Sequence, residues 1–356
     1  MTRLINDVSK FGPRRFWSAL AMMIVGLLLT SSTLSALDSE PANPFQGTFL
    51  QLTREHQSWP PDRWQQLFLY LKELGVSRLI IQWTVFDDYI VFPYPKNPSG
   101  QTTPLEIIMS LAEANNVKVR LGLVYDPGFW GKINRPPDVV AVYLRHLRGQ
   151  AEDTATQLAK LYGHSPAFQG WYLPEEIDDI HWQELAARDV LLDHLAKLRK
   201  FLRGLTPKAD TAISGFVNGR LDPQSLSAFW LDLLTKSGIE VFLLQDGIGV
   251  NKLTIEELAL YLQALTRAIK PPSCELRMIV ETFQQTSGSP SQPQSFQAVP
   301  APLPRLLRQL QLADRYAGQP IFVFGVPEYL TPMGGEAARR LYQDYLAALK
   351  KKNKGG

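Results

Sequence analysis

The chain has 356 residues, 45% of them hydrophobic and 20% charged, with 26 Pro, 24 Gly and one Cys. That composition is globular and excludes collagen-like, low-complexity and disulfide-framework classes, while the length allows one large domain or two ordinary ones. The net charge of +3 comes from the first 36 residues, where Arg3, Lys10, Arg14 and Arg15 stand against Asp7. The 37 basic residues less those four, and the 34 acidic less Asp7, leave 33 of each. Lys350, Lys351, Lys352 and Lys354 form a basic tail, so the body before them is slightly acidic. It lacks the basic footprint of a nucleic-acid binder.

Arg14-Arg15 precedes an apolar run from Phe16 to Leu29, followed by small polar residues up to Ala36. A positive flank, an apolar stretch and small residues form a secretory-signal pattern, with Ser35 or Ala36 as cleavage positions. No charge interrupts Phe16 to Leu37, so an uncleaved anchor is the other reading. The residues around the arginine pair do not fit a twin-arginine signal. Positive charge stays inside under either reading. The body is therefore expected to be exported, periplasmic or tethered to the inner membrane and facing the periplasm. The single Cys274 cannot form an internal disulfide and reads as a small buried residue at the start of a strand.

Beyond Pro44, short β-rich runs alternate with amphipathic runs. The strand candidates are Gly47–Gln51, Arg78–Trp83, Lys118–Val124, Phe168–Leu173, Thr211–Val217, Val241–Leu244, Arg277–Val280 and Ile321–Phe324. Most are continuous apolar runs, as strands covered on both faces should be. The first helix, Asp62–Leu74, puts Trp64, Leu67, Leu71 and Leu74 on one face and stops at Gly75. Thr103-Pro104-Leu105-Glu106 opens the second as a capping box, and Thr254-Ile255-Glu256-Glu257 opens the sixth in the same way. The others run near Asp138–Leu161, Trp182–Leu202, Gln224–Leu234, Pro304–Tyr316 and Glu336–Leu349.

Eight strand–helix units predict a single α/β domain, a (β/α)₈ TIM barrel over residues 37–349. Residues 1–36 are the signal peptide or anchor and 350–356 the tail. A doubly wound sheet is disfavoured because no G-x-G-x-x-G or phosphate loop follows any strand. The Pro- and Gln-rich segment near 287–304 reads as a long loop over the barrel mouth.

In such barrels chemistry gathers where strands end. Those positions hold Gln51, Gln82-Trp83, Tyr125-Asp126, Glu175-Glu176 with Asp178, Asn218, Gln245-Asp246, Glu281 and Glu328-Tyr329. Carboxylates, amides and aromatics are what carbohydrate chemistry wants. The sharpest pair is Glu176, ending strand four, and Glu281, ending strand seven. Glycoside cleavage needs one carboxyl to protonate the leaving oxygen and a second to attack the anomeric carbon or activate water.

Acidic residues at these two ends resemble glycoside hydrolase clan A, which implies Glu176 as acid/base and Glu281 as nucleophile. The departure is Glu175 after Pro174 where clan A has Asn, which leaves open which glutamate is the acid. Gly47-Thr-Phe-Leu-Gln51, Ile80-Ile-Gln-Trp-Thr84, Gly170-Trp-Tyr-Leu-Pro-Glu-Glu-Ile-Asp178 and Leu244-Gln-Asp-Gly-Ile-Gly-Val250 resemble the bacterial family named domain of unknown function 4434. That resemblance spans about Phe45 to Leu346. It implies a hydrolase-like TIM barrel and favours Glu176 over Glu175.

The expected substrate contacts are Gln51, Gln82, Trp83, Tyr125, Glu175, Asn218, Asp246 and Tyr329. Asp246 also has a reading as a turn residue before Gly247, and Asp126 reads mainly as one. Trp83, Trp130 and Trp171 are either sugar platforms or core. The five histidines, His56, His146, His164, His181 and His194, lie in loops and helices without an H-x-H pair, against an amidohydrolase. Lys118 begins its strand at the wrong end for a Schiff-base aldolase. No cofactor is expected, and a Mg²⁺ or Ca²⁺ site from Asp126, Glu176, Asp246 and Glu281 is a minor alternative.

The sequence thus predicts a glycosidase acting on a bacterial polysaccharide or envelope glycan. The alternative is a non-catalytic glycan-binding barrel in an exported-polysaccharide assembly.

Overall fold

A computed structural model describes residues 44–94, 102–272, 274–289 and 292–355. The N-terminal segment up to Asn43, with its signal or anchor reading, lies outside the described residues.

Eight parallel strands close a barrel: β1 (Gly47–Leu50), β2 (Arg78–Ile81), β3 (Lys118–Gly122), β4 (Phe168–Ile177), β5 (Asp210–Gly215), β6 (Val241–Gln245), β7 (Glu275–Glu281) and β8 (Phe322–Phe324). Their order round the ring is β1-β8-β7-β6-β5-β4-β3-β2, each strand pairing with its chain neighbours and β8 closing on β1. The main helices follow the strands: α1 (Pro61–Glu73), α2 (Pro104–Ala114), α3 (Pro137–Tyr162), α4 (Leu185–Leu205), α5 (Pro223–Ser237), α6 (Ile255–Ala268), α7 (Leu303–Ala317) and α8 (Glu336–Gly355). The expected (β/α)₈ architecture is present.

Local signals work as read. Thr103 and Glu106 close the capping box of α2, the Thr103 amide donating to the Glu106 carboxylate over 2.7 Å. Thr254 and Glu257 do the same for α6 over 2.8 Å. Gly75 follows α1 at φ +77°, a conformation that costs glycine nothing.

Side chains alternate across each strand, so one parity fills the barrel. Phe49, Ile80, Tyr172, Ala212, Val241, Leu243, Ile279 and Phe322 form this inner core. Phe49 meets Tyr172 edge-on at 5.4 Å. The opposite parity packs against the helices, as where Trp230 of α5 stacks on Phe242 at 3.8 Å. At the floor Arg120 makes a bidentate pair with Asp210.

Two segments depart from the sequence reading. Residues expected as a loop over the mouth form an antiparallel ribbon, Phe283–Ser289 with Gln292–Pro300. The region expected as a basic tail continues α8 through Gly355. Among the described residues, no helix is long and apolar enough to cross a membrane.

Candidate active site

Inward parity carried to the C-terminal strand ends selects the residues of the mouth. From Val241 and Leu243 it leads to Gln245, from Ile279 to Glu281, from Ile80 to Gln82 and from Phe49 to Gln51. On β4 it leads from Tyr172 to Glu176. The register there shifts: Leu173 pairs with Ile213 and Ile177 with Gly215, so Pro174, Glu175 and Glu176 oppose Ser214 alone. Such a bulge adds two residues and leaves the parity unchanged. Glu176 therefore faces in and Glu175 faces out.

The contacts agree with that geometry. The Gln245 amide donates to Glu176 Oε1 over 2.8 Å, tying the ends of β4 and β6. Glu281 is 4% exposed, and its Oε2 accepts the Val250 amide over 3.0 Å. Burial raises the Glu176 carboxyl above the usual range, against the Gln245 bond and Lys252. Burial, then the neighbouring Asp246 charge, pushes Glu281 up to about 8.

Glu175 lies elsewhere. It is buried behind the wall, where Oε1 meets His194 Nε2 of α4 at 2.8 Å, and so belongs to the structure behind the site. Asp246 also points outward. It accepts Gln309 of α7 over 2.5 Å, the Ile248 amide over 3.2 Å and the Glu281 amide over 3.3 Å. Burial raises it to about 6. It acts on the mouth as the negative charge beside Glu281.

Asp126 is the expected turn residue, bonded to the Gly128 amide, Lys132 and Tyr143. Asp126 and Asp246 are so engaged, and among the described residues no group of three or more His, Cys, Asp or Glu side chains is placed to hold a metal ion.

The rim is aromatic. Trp83 donates its indole to Leu52 O over 2.8 Å and packs 4.9 Å from Tyr125. Tyr125 stacks on Phe86 at 5.3 Å, and burial lifts its phenol to about 12. Tyr329 lies 5.2 Å from Phe283 at the start of the ribbon. Trp130 approaches His181 at 5.3 Å and Phe216 at 5.8 Å. Trp171, by contrast, is fully buried behind β4 and bonds Thr206 over 2.8 Å, so it is core. Gln51 is half-buried at the end of β1; Gln82 is buried and its Oε1 has no hydrogen-bond partner among the described residues.

Asn218 supports the site through others. It donates its side-chain amide to Asp178 over 3.0 Å and its backbone N–H to Asp179 over 2.7 Å. Asp178 also accepts from His181 Nδ1 over 2.8 Å. Burial works against ionisation of Asp178, but the bonds from His181 prevail and hold its carboxyl below the ordinary range.

Two residues of the mouth escaped sequence reasoning. His181 reaches it from the loop after β4. Lys252, in the loop after β6, holds Nζ 3.5 Å from the Phe216 ring centroid, with Glu176, Glu281, Asp178 and Asp179 as its charged neighbours.

Residues 45–334 match the family described as Domain of unknown function (DUF4434). The chain belongs to this family. A relative of the DUF4434 chain is the uncharacterized protein YbcH of Escherichia coli (strain K12). It is 31% identical over 242 residues, 67% of this chain and 75% of YbcH. Among solved structures, the DUF4434 barrel superposes on a candidate alpha-L-fucosidase from Bacteroides thetaiotaomicron VPI-5482 with a TM-score of 0.69 at 20% identity, covering 88% of this chain and 96% of that one. It also superposes on a GH18 chitinase from Pseudoalteromonas aurantia with a TM-score of 0.53 at 11% identity, covering 83% and 98%. At these identities the likeness to both is one of fold.

Proposed function

We propose that this DUF4434 barrel cleaves glycosidic bonds with Glu176 and Glu281 as its acid and base. The observation that carries the reading is two inward carboxyls at the C-terminal mouth, both raised by burial, with one lysine facing both. A pair that keeps one proton at neutral pH supplies both halves of the reaction. The protonated carboxyl gives its proton to the leaving glycosidic oxygen, while the ionised one attacks the anomeric carbon or takes a proton from water. Trp130, Tyr125 and Tyr329 offer ring faces to a sugar, and Gln51 and Gln82 offer amides.

The clan A resemblance assigns the proton to Glu176. The reverse start is also open to this site: burial and the Asp246 charge push Glu281 up to about 8, so it carries a proton near neutral pH, while burial raises Glu176 as well. The Arg14-Arg15 and Phe16–Leu29 pattern supports an exported enzyme, with a bacterial polysaccharide or envelope glycan as substrate.

The test is reducing-end release from a panel of bacterial envelope glycans and neutral polysaccharides by the wild-type chain, Glu176→Gln and Glu281→Gln. Turnover lost in both folded variants supports the pair. Binding that survives both substitutions, with no reducing ends from any chain, would replace this reading with the glycan-binding barrel.

A further inference from the structure

Burying a carboxylate is costly unless hydrogen bonds replace its lost water. Asp178 and Asp179, which follow β4, are each 1% exposed, so the donors around them show what that burial secures. Asp179 accepts the backbone N–H groups of Asn218, Arg220 and Leu221, and so fastens the loop after β5 to the loop after β4. Asp178 is turned to a different use. Its Oδ1 accepts the His181 amide over 3.0 Å, and its Oδ2 meets His181 Nδ1 at 2.8 Å. The Asn218 side-chain amide donates to Oδ2 over 3.0 Å and holds the carboxylate in place.

These bonds orient one ring. Burial opposes ionisation of Asp178, but the His181 bonds prevail, so the group is a carboxylate that only accepts. His181 Nδ1 therefore carries the hydrogen between them, and the neutral ring presents its lone pair at Nε2. Among the described residues Nε2 has no hydrogen-bond partner, and the His181 side chain is 20% exposed. The backbone bond to Asp178 already ties down the loop; what the imidazole bond adds is the direction of Nε2.

The ring beside His181 is Trp130, 5.3 Å away on the helical turn Phe129–Lys132 that follows β3. Trp130 is half-buried and lies 5.8 Å from Phe216, which follows β5. Lys252 Nζ sits over the Phe216 face at 3.5 Å, so Trp130 is the better sugar platform of the two rings. These side chains stand on loops at the C-terminal ends of the neighbouring strands β3 to β6, the face where such barrels bind substrate. A pyranose laid on the Trp130 face would carry its equatorial hydroxyls outward, toward the imidazole.

We propose that His181 is a specificity-determining residue whose Nε2 accepts a hydrogen bond from a hydroxyl of the sugar that packs on Trp130, with Asp178 and Asn218 as its positioning residues. Its use in turnover rests on the glycosidase reading. The carboxylate behind the ring makes a neutral sugar the fitting class, since an acidic one would meet like charge.

The experiment uses the full chain carrying ring-¹⁵N histidine, with the His181 signals assigned by their loss in His181→Asn. Glu281→Gln holds sugar without cleaving it, and the probes are neutral gluco-, galacto- and N-acetylglucosamine oligosaccharides. Binding should move the Nε2 signal of His181 while Nδ1 stays bonded to Asp178. His181→Asn keeps an amide beside Asp178 and removes the outer nitrogen, so KM should rise about tenfold, with kcat changed less. His181→Phe, which keeps a ring beside Trp130, serves if the asparagine variant does not fold. An Nε2 signal that stays put while a glycan saturates the site overturns the proposal, as does an unchanged KM in a folded Asn or Phe variant. Failure of every probe to bind overturns it too. If a glycan is cleaved and Nε2 is silent, the glycosidase reading survives alone. If a glycan binds and moves Nε2 but wild type cleaves none, the histidine contact stands and the glycosidase reading falls.

Discussion

Glu175 and His194 meet at 2.8 Å behind the barrel wall, and this contact turns the neighbouring glutamate into the mouth. Strand alternation, which the β4 bulge preserves, leaves two adjacent carboxyls pointing in opposite directions. His194 secures the outward one, and its Nδ1 in turn lies 3.1 Å from Leu144 O on α3. Both partners are buried, so removing either leaves a polar group with neither water nor a mate. His194→Ala should cost about 3 kcal/mol or more in urea unfolding. A variant as stable as wild type would show that the pair does not anchor the bulge.

The same division predicts opposite kinetic results from neighbouring substitutions. Glu175→Gln keeps a hydrogen-bonding group toward His194 and should leave most turnover. If Glu176 reacts as proposed, Glu176→Gln should lower kcat by about 10²–10⁴-fold. Equal losses from the two folded variants would remove the distinction drawn here.

Much of this was legible in the sequence. The β/α alternation predicted the barrel, and strand ends predicted Glu176 and Glu281. Alternation alone also separates Gln245 from Asp246, because Val241, Leu243 and Gln245 share a face. The Glu175–Glu176 ambiguity was harder: a bulge of two residues preserves parity, but nothing in Pro174-Glu175-Glu176 announces its length. Lys252 and His181 were missed because loops, not strands, bring them in. The ribbon was missed because Gly and Pro depress β propensity and mark loops elsewhere.

The raised Glu281 carboxyl carries a stability signature. Its folded value near 8 lies above the ordinary 4.5, so the unfolded chain gives up this proton first as pH rises. The stabilisation is complete below about pH 4.5 and is lost progressively toward pH 8, beyond which the folded group ionises too. Glu281→Gln should flatten that slope, and denaturant unfolding at pH 5, 6.5 and 8 should register it, as approximate sampling points on the linkage curve. An unchanged slope would mean that Glu281 ionises normally in the fold.

Asp246 should tune the same group. Burial is the larger cause of the Glu281 shift and the Asp246 charge the next, so neutralising Asp246 removes a like charge and lowers the Glu281 value. With Glu281 as proton donor, activity falls as pH rises past its value. In Asp246→Asn that alkaline limb, near 8 in wild type, should move toward acid. If Glu281 must instead be ionised to attack, activity would rise through the same region and the rising limb would move acidwards. The direction of the limb therefore decides between the two role assignments in one pH–rate series.

Gly249 sits where the clamp on Glu281 leaves no room. A Cβ there would lie 2.4 Å from Phe283 O and 2.8 Å from Glu281 Oε2, both closer than side-chain carbons come to such atoms. The backbone obstacle cannot swing aside, and the carboxylate can yield only by leaving the Val250 amide. The ribbon is tied to the same point, since the Gln285 amide donates to Gly249 O. Gly249→Ala should therefore disturb Glu281, Lys252 and the ribbon base together, although it adds one methyl group and no charge. The expected result is a folded protein with turnover reduced at least about tenfold, on the scale that a small misplacement of a reacting group produces. The carboxyl ¹³C signal of Glu281 should also shift in midpoint, because its backbone donors have moved. A Gly131→Ala control, with nothing near the added carbon, should change neither quantity. If the two alanine variants behave alike, the loop after β6 does not hold Glu281 in the way its contacts imply.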